Sequence, residues 1–237
     1  MKRKHAIAVK IIVISSFLTM TGCGNVDAKR TPEEWLSLSY SGLAATDQYA
    51  FTGSMSIKTA AGLEFKPEIF EGKVVDHKQL TLQSNSEDPL HWNPVQVLGA
   101  LNNNNEEIRI AASDTKESET VTLLIKEHSD TSKKRWEQRL RNELDELVAA
   151  APAEGSPGRQ EWMAELAHSR EQLETMLKSM EAATEYELTI DRDRLLPLKM
   201  EEKTTFSYTY GKQPVSESRY TTVRFQAFNG TATNAVQ

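Results

Sequence analysis

The sequence predicts an α+β protein in which helices pack on an antiparallel sheet. Three observations predict it. Segments with period-two hydrophobicity stand near both ends of the chain. Two long apolar stripes with helical spacing lie between them. The elements run helix, strands, helices, strands. With 237 residues, four Trp, seven Phe and six Tyr, the chain can bury a core despite being only 38% hydrophobic. A single apolar run, at the N-terminus, excludes a polytopic membrane protein, and a net charge of −6 argues against a nucleic-acid binder. The one cysteine excludes an intramolecular disulfide.

The first helix starts at Thr31-Pro32-Glu33-Glu34, where Thr caps, Pro takes the first helical position and acids face the positive dipole end; Trp35, Leu36, Leu38, Leu43 and Ala44 carry its stripe to about Thr46. Tyr49 to Thr59 alternates Phe51, Gly53, Met55 and Ile57 with Thr, Ser and Lys, a half-buried strand. Phe70 to Gln83 reads as one or two strands, with His77 a solvated residue of the alternation. A short helix is expected after Asn93-Pro94, and Asn102 to Asn105 reads as a turn. Glu107 to Ala111 and Glu119 to Lys126 read as strands joined by a hairpin loop at Asp114 to Ser118.

Asp130 to Val148 places Trp136, Leu140, Leu144, Leu147 and Val148 on one face. After the loop Ala149 to Gly158, a second helix reaches about Ala183 with Trp162, Met163, Leu166, Leu173, Met176, Leu177 and Met180 as its stripe. The two make a helical hairpin over about 130–183. Strands resume at Tyr186 to Ile190, Leu196 to Tyr210 and Ser218 to Phe228, with turns at Asp191 to Arg194 and Gly211-Lys212. Residues 229–237 read as a disordered tail.

Residues 1–22 form a leader: Lys2, Arg3 and Lys4 precede an apolar stretch from Ile11 to Met20, too short to span a bilayer. Met20-Thr21-Gly22-Cys23 then resembles the lipobox of bacterial lipoproteins, with Met in place of the commoner Leu. The resemblance implies cleavage between Gly22 and Cys23 and a diacylglycerol on the Cys23 thiol. An ordinary signal peptide or an uncleaved anchor is the plainer alternative, but the chain's only cysteine falls on that one position. Two acyl chains anchor stably, which places the protein on the extracytoplasmic face of a cell membrane. The leader carries four of the 28 Lys and Arg and none of the 34 acids, leaving the rest at net −10. Residues 23–32 are a short tether.

The stretch Tyr186 to Met200, a strand ending in Ile-Asp and returning as Leu-Pro-Leu-Lys-Met, resembles a hairpin of the LolA/LppX-like superfamily of envelope lipoproteins and carriers. Tyr49-Ala50-Phe51-Thr52-Gly53 after a helix agrees with it. The resemblance covers about residues 33–228 and implies one domain: a curved antiparallel sheet, an open half-barrel, with helices on its concave face and, in several members, a lipid between them. The 130–183 hairpin is longer than a simple carrier needs, which leaves room for an envelope protein partner.

No catalytic motif stands out. His5, His77, His91, His128 and His168 show no metal-ligand spacing, and neither a nucleophile elbow nor a phosphate loop is present. Glu201-Glu202 and Asp191/Asp193 read as solvated acid pairs. We therefore expect no enzyme, no metal, no nucleic acid and no cofactor beyond the diacylglycerol on Cys23. Phe51, Met55, Trp136, Leu140, Trp162, Leu166, Met176, Phe206 and Tyr208 are the expected lining of a cavity for a lipid or hydrophobic ligand. The same residues could instead form a filled core in a structural or protein-interaction module.

Overall fold

The computed structural model describes residues 30–84, 93–112 and 118–230. The leader with Cys23, His91-Trp92 and most of the loop at Asp114 to Ser118 lie outside them. The chain divides into Met1–Arg30 and Thr31–Gln237, and every helix and strand described belongs to the second unit. These are α1 (Pro32–Ala44), β1 (Tyr49–Thr59), β2 (Glu68–Val75), β3 (Gln79–Ser84), α2 (Pro94–Asn104), β4 (Asn105–Ile110), β5 (Thr120–Glu127), α3 (Ser129–Ala149), α4 (Arg159–Leu177), β6 (Glu181–Asp191), β7 (Pro197–Tyr210) and β8 (Gln213–Gln226).

All eight strands form one antiparallel sheet in the order β3-β2-β1-β8-β7-β6-β5-β4. The first and last half of the chain meet where β1 pairs with β8 over ten residues, from Ala50↔Gln226 to Thr59↔Glu217. β3 and β4 are the edges, so the sheet is open rather than closed into a barrel. The fold is α+β, as the sequence predicts.

Alternation puts one residue set on the helix-covered face. Leu188 pairs with Met200 and Met200 with Val223, while Phe51 pairs with Phe225. These residues join Trp35, Leu36 and Leu43 of α1 and Leu98 and Leu101 of α2 in the main core. α1 begins with a complete capping box: Glu34 N–H donates to Thr31 Oγ1 (3.3 Å) and Thr31 N–H to Glu34 Oε2 (2.8 Å). A second, smaller cluster holds Trp136 of α3, Leu177 of α4, Met180 and Ala182. Between helices, Arg141 grips Glu174 (2.8 and 3.1 Å) and Arg170 meets Asp145 (2.5 Å), which ties α3 to α4.

Four local readings are corrected. α4 ends at Leu177, so the helical hairpin stops short of 183. Glu181 to Glu185 instead extend β6, because pairing with β7 from Glu181↔Ser207 outweighs the helical propensity of Glu-Ala-Ala. Asn102 to Asn104 are the last turn of α2 and Asn105 opens β4. The amides of Asn103, Asn104 and Asn105 donate four residues back to the carbonyls of Gly99, Ala100 and Leu101, satisfying a helix end. His77 is a turn residue: Asp76 and His77 both have positive φ (52° and 59°), the geometry of a tight hairpin, and the imidazole contacts Asp47 at 2.6 Å. Asn229 is not frayed: its N–H donates to Gln48 O (2.8 Å), beside the buried Phe228.

The Tyr-x-Phe-x-Gly segment has a packing explanation. Gly53 faces Phe70 and Phe51 faces Gly72 across β1–β2. A Cβ on Gly53 would collide with the Phe70 ring, and one on Gly72 with the Phe51 ring. Each glycine thus makes room for the ring opposite, a reciprocal form of aromatic cover over strand glycine. Gly53→Ala or Gly72→Ala should lower stability by roughly 1–3 kcal/mol through overpacking. Ser54→Ala, on the other face, should stay within about 0.5 kcal/mol. Urea denaturation of the three variants checks this, and equal effects would refute the packing account.

Candidate functional site

The helix-covered face is not uniformly apolar. Two successive rows across the sheet are polar: Tyr186, Glu202 and Thr221, then Thr184, Thr204 and Arg219. With Glu127 and Ser132 they form a belt, and every one of these residues is buried. The belt lies between the main core and the smaller cluster.

α3 docks on this belt. Arg135 holds Glu127 in a two-point contact, Nη2 to Oε2 at 2.8 Å and Nε to Oε1 at 3.3 Å. Its Nη2 also reaches the Tyr186 hydroxyl (3.0 Å) and stands 3.8 Å from Glu202 Oε1. Ser132 Oγ meets Thr184 Oγ1 at 2.6 Å, and Thr184 meets Thr204 at 2.9 Å. The Thr204 hydroxyl donates to Glu202 Oε1 at 3.2 Å. Glu202 is therefore buried, which corrects the solvated reading; its neighbour Glu201 is paired at the surface with Lys199 (2.8 Å).

Docking on the belt fixes the next residue, Trp136, over the far end of the sheet. Phe206 packs edge-on against it at 5.0 Å. Beside them a cleft of about 270 Å³ opens between the α3–α4 hairpin and β1, β7 and β8. Its walls are Met55, Ile57, Trp136, Leu140, Met176, Met180, Phe206 and Tyr208, with Arg139, Glu143, Glu217 and Arg219 as the charged lining among the described residues. Three larger hollows among the described residues have more polar walls. One of about 530 Å³ runs between α2 and α3, lined by Gln96, Gln138, Asn142 and Glu146. Another of about 400 Å³ lies on the opposite face of the sheet, among Glu185, Glu187, Glu201 and Lys203. A third, of about 300 Å³, lies along β1, β2 and β3 among Thr52, Glu71, Lys73 and Gln83. Ligand sites are mostly apolar with a few placed polar groups, and of the four the 270 Å³ cleft comes nearest to that make-up, just below the usual range of about 300–1,000 Å³.

Six of the nine residues expected to line a cavity meet in this cleft: Met55, Trp136, Leu140, Met176, Phe206 and Tyr208. Three do not. Phe51 lies in the main core under α1 and α2, because its row of the sheet is on the other side of the belt. Trp162 is 40% exposed on α4, and Leu166 is buried elsewhere on that helix. Their stripe is helical, but only the C-terminal part, Leu173 to Leu177, reaches the sheet side. Ile57, Met180, Arg139 and Arg219 line the cleft unforeseen. Arg219 was legible in principle: it stands in phase with the buried Val223 and Phe225, at positions where a half-buried strand should be apolar.

Arg139 is paired with Glu143 at 2.7 Å. Arg219 is 7% exposed and has no carboxylate within 4 Å among the described residues; its Nε points at Met55 Sδ (2.6 Å), a weak acceptor. Burial, then the neighbouring Arg139, pull its pKa down to about 10, so it remains a cation at neutral pH. No group of three His, Cys, Asp or Glu is placed to hold a metal among the described residues, and no helix there is long and apolar enough to cross a membrane. No family model matches the chain, and no curated protein matches it either.

Arg135→Ala should lower stability by about 3 kcal/mol, since it strands Glu127 in the interior; we take the low end of the usual range because a third of the Arg135 side chain keeps solvent contact. Arg170→Ala, which loses only the exposed Asp145 pair, should cost no more than ~1 kcal/mol. Denaturation curves of both variants check the contrast.

Proposed function

We propose that the protein is a non-enzymatic lipoprotein, anchored by Cys23 to the extracytoplasmic face of a cell membrane, that holds a lipid or other hydrophobic ligand in the cleft beneath Trp136. One observation carries the reading: the smaller cluster is not closed, and its unfilled side is an apolar cleft with flexible Met55, Met176 and Met180 in its walls. Methionines adapt to an irregular chain, and Trp136 supplies a large flat contact. In this reading the open sheet with its helices on one face is a half-barrel of the LolA/LppX kind, and the anchor keeps the cleft near its source of lipid.

A second reading has its own support. Leu147, Trp162 and Met163 are 43%, 40% and 37% exposed on the helical hairpin, an apolar surface that would suit an envelope protein partner. It makes the hairpin, rather than the cleft, the working part.

Two experiments test the proposal. Made in a bacterial host, the full chain should incorporate labelled fatty acid and partition into detergent, and Cys23→Ser should abolish both. The unit from Thr31 onward, which contains the whole sheet and both clusters, should release a stoichiometric lipid on organic extraction, read by mass spectrometry. Met176→Asp should empty it without unfolding it. A lipid-free protein whose Trp fluorescence is also unmoved by a brominated long-chain alcohol would overturn the ligand reading.

A further inference from the structure

We propose that the cleft takes an anionic single-chain amphiphile head first, with the carboxylate or phosphate on Arg219 and the chain running out past Met176 and Phe206. This rests on the ligand reading above and adds the chemistry of the head.

The argument starts from Trp136. Three guanidinium groups surround its ring, those of Arg135, Arg139 and Arg219, at 5.3, 5.1 and 4.7 Å from the centroid. Arg135 is neutralised by Glu127 and Arg139 by Glu143. Arg219 has no such partner among the described residues, although it is the most buried of the three. Glu217, two residues along β8 on the same face, does not come within 4 Å of it; Glu217 instead sits by the Tyr208 hydroxyl, where burial and that carboxylate raise the phenol's pKa. Arg219 Nε rests on the Met55 thioether and its charge is drawn by Glu202 and Glu143 at a distance, with no carboxylate in contact among the described residues. A buried cation in the cleft wall held only by a weak acceptor and a ring calls for an anion.

Polarity along the cleft sets the orientation. Arg219 and Trp136 are at its buried end, next to the polar belt. Tyr208 and Glu217 are half-exposed at the other. Between them the walls are Leu140, Met176, Met180 and Phe206. A charged head would reach Arg219 only by leaving water, and the ion pair made there must offset that loss. The apolar walls supply the rest by burying the chain.

The test uses the Thr31–Gln237 unit and three probes of equal length: a brominated fatty acid, the alkyl phosphate and the neutral alcohol. Quenching of Trp136 reads binding, with Trp136→Phe as the blank. The acid and the phosphate should bind about ten- to a hundredfold tighter than the alcohol. Arg219→Met should erase that preference, leave alcohol binding in place and melt no lower than the parent, since it removes a buried charge with no carboxylate in contact among the described residues. Inorganic phosphate and acetate should not compete; if either alone displaces the probe, the site is one for a free anion and the amphiphile is wrong. Equal binding of acid and alcohol overturns the inference and spares the ligand reading. Failure of all three probes overturns both. A marked loss of stability in Arg219→Met shows that the protein itself satisfies Arg219, and also overturns it.

Discussion

The guanidinium of Arg135 can lie on the sheet only where carboxylates receive it, and that requirement fixes α3. Glu127 ends β5 and Glu202 lies in β7, so the two acids converge from strands separated by β6. Tyr186 and Thr184 of β6 fill the gap between them. A helix carrying Arg at this point therefore has one place to dock, in one orientation. Ser132, one turn earlier, meets Thr184 and removes the freedom to slide. An apolar stripe alone would tolerate a range of positions; a bidentate ion pair onto a buried carboxylate does not. α4 inherits the placement through Arg141–Glu174 and Arg170–Asp145.

The belt also explains why one sheet face supports two different interiors. On the side of α1 and α2 the residues are Tyr49, Phe51, Phe70, Phe225 and Phe228, with rings 6.2–6.4 Å apart where they neighbour Tyr49 and with glycines opposite Phe51 and Phe70. Rigid rings matched to glycines fill space and leave little for a guest. The Asp191 turn closes that side: its carboxylate accepts from Asp193 and Arg194 N–H, while Arg192 and Arg194 lie over Trp35 and Phe228. Across the belt stand methionines, Leu140, Trp136, Phe206 and Tyr208, with Arg219 of the belt at their edge. Neither flexible thioethers nor a guanidinium held by a thioether and a ring is a good filler, and the cleft stands there.

Much of the fold was legible. Period-two runs place β1 to the residue, and Thr31-Pro32 and Asn93-Pro94 mark two helix starts by side-chain chemistry that the structure repeats. What was not legible depended on pairing partners. Glu181 to Glu185 looks helical because its neighbours are, and only β7 makes it a strand. Phe51 and Phe206 look alike in sequence, yet their rows fall on opposite sides of the belt, so one is core and the other cleft. Glu202 looks like surface because it follows Glu201, and it is inside because Met200 two positions earlier is. Phase along the strand carried that information; adjacency in sequence hid it.

Charge outside and charge inside pull in opposite directions here, which bears on what can reach the cleft. Residues 23–237 carry net −10, and an acidic body of this kind repels small anions. A cation placed at the surface of such a protein would be screened and surrounded by acids. Arg219 is instead walled off by Trp136, Met55 and the belt, where its field is least screened. A free anion gains only the ion pair and must shed its hydration to make it. An anion with a chain gains the apolar walls as well, so the same arginine that repays a small ion poorly can favour an amphiphile over its neutral counterpart.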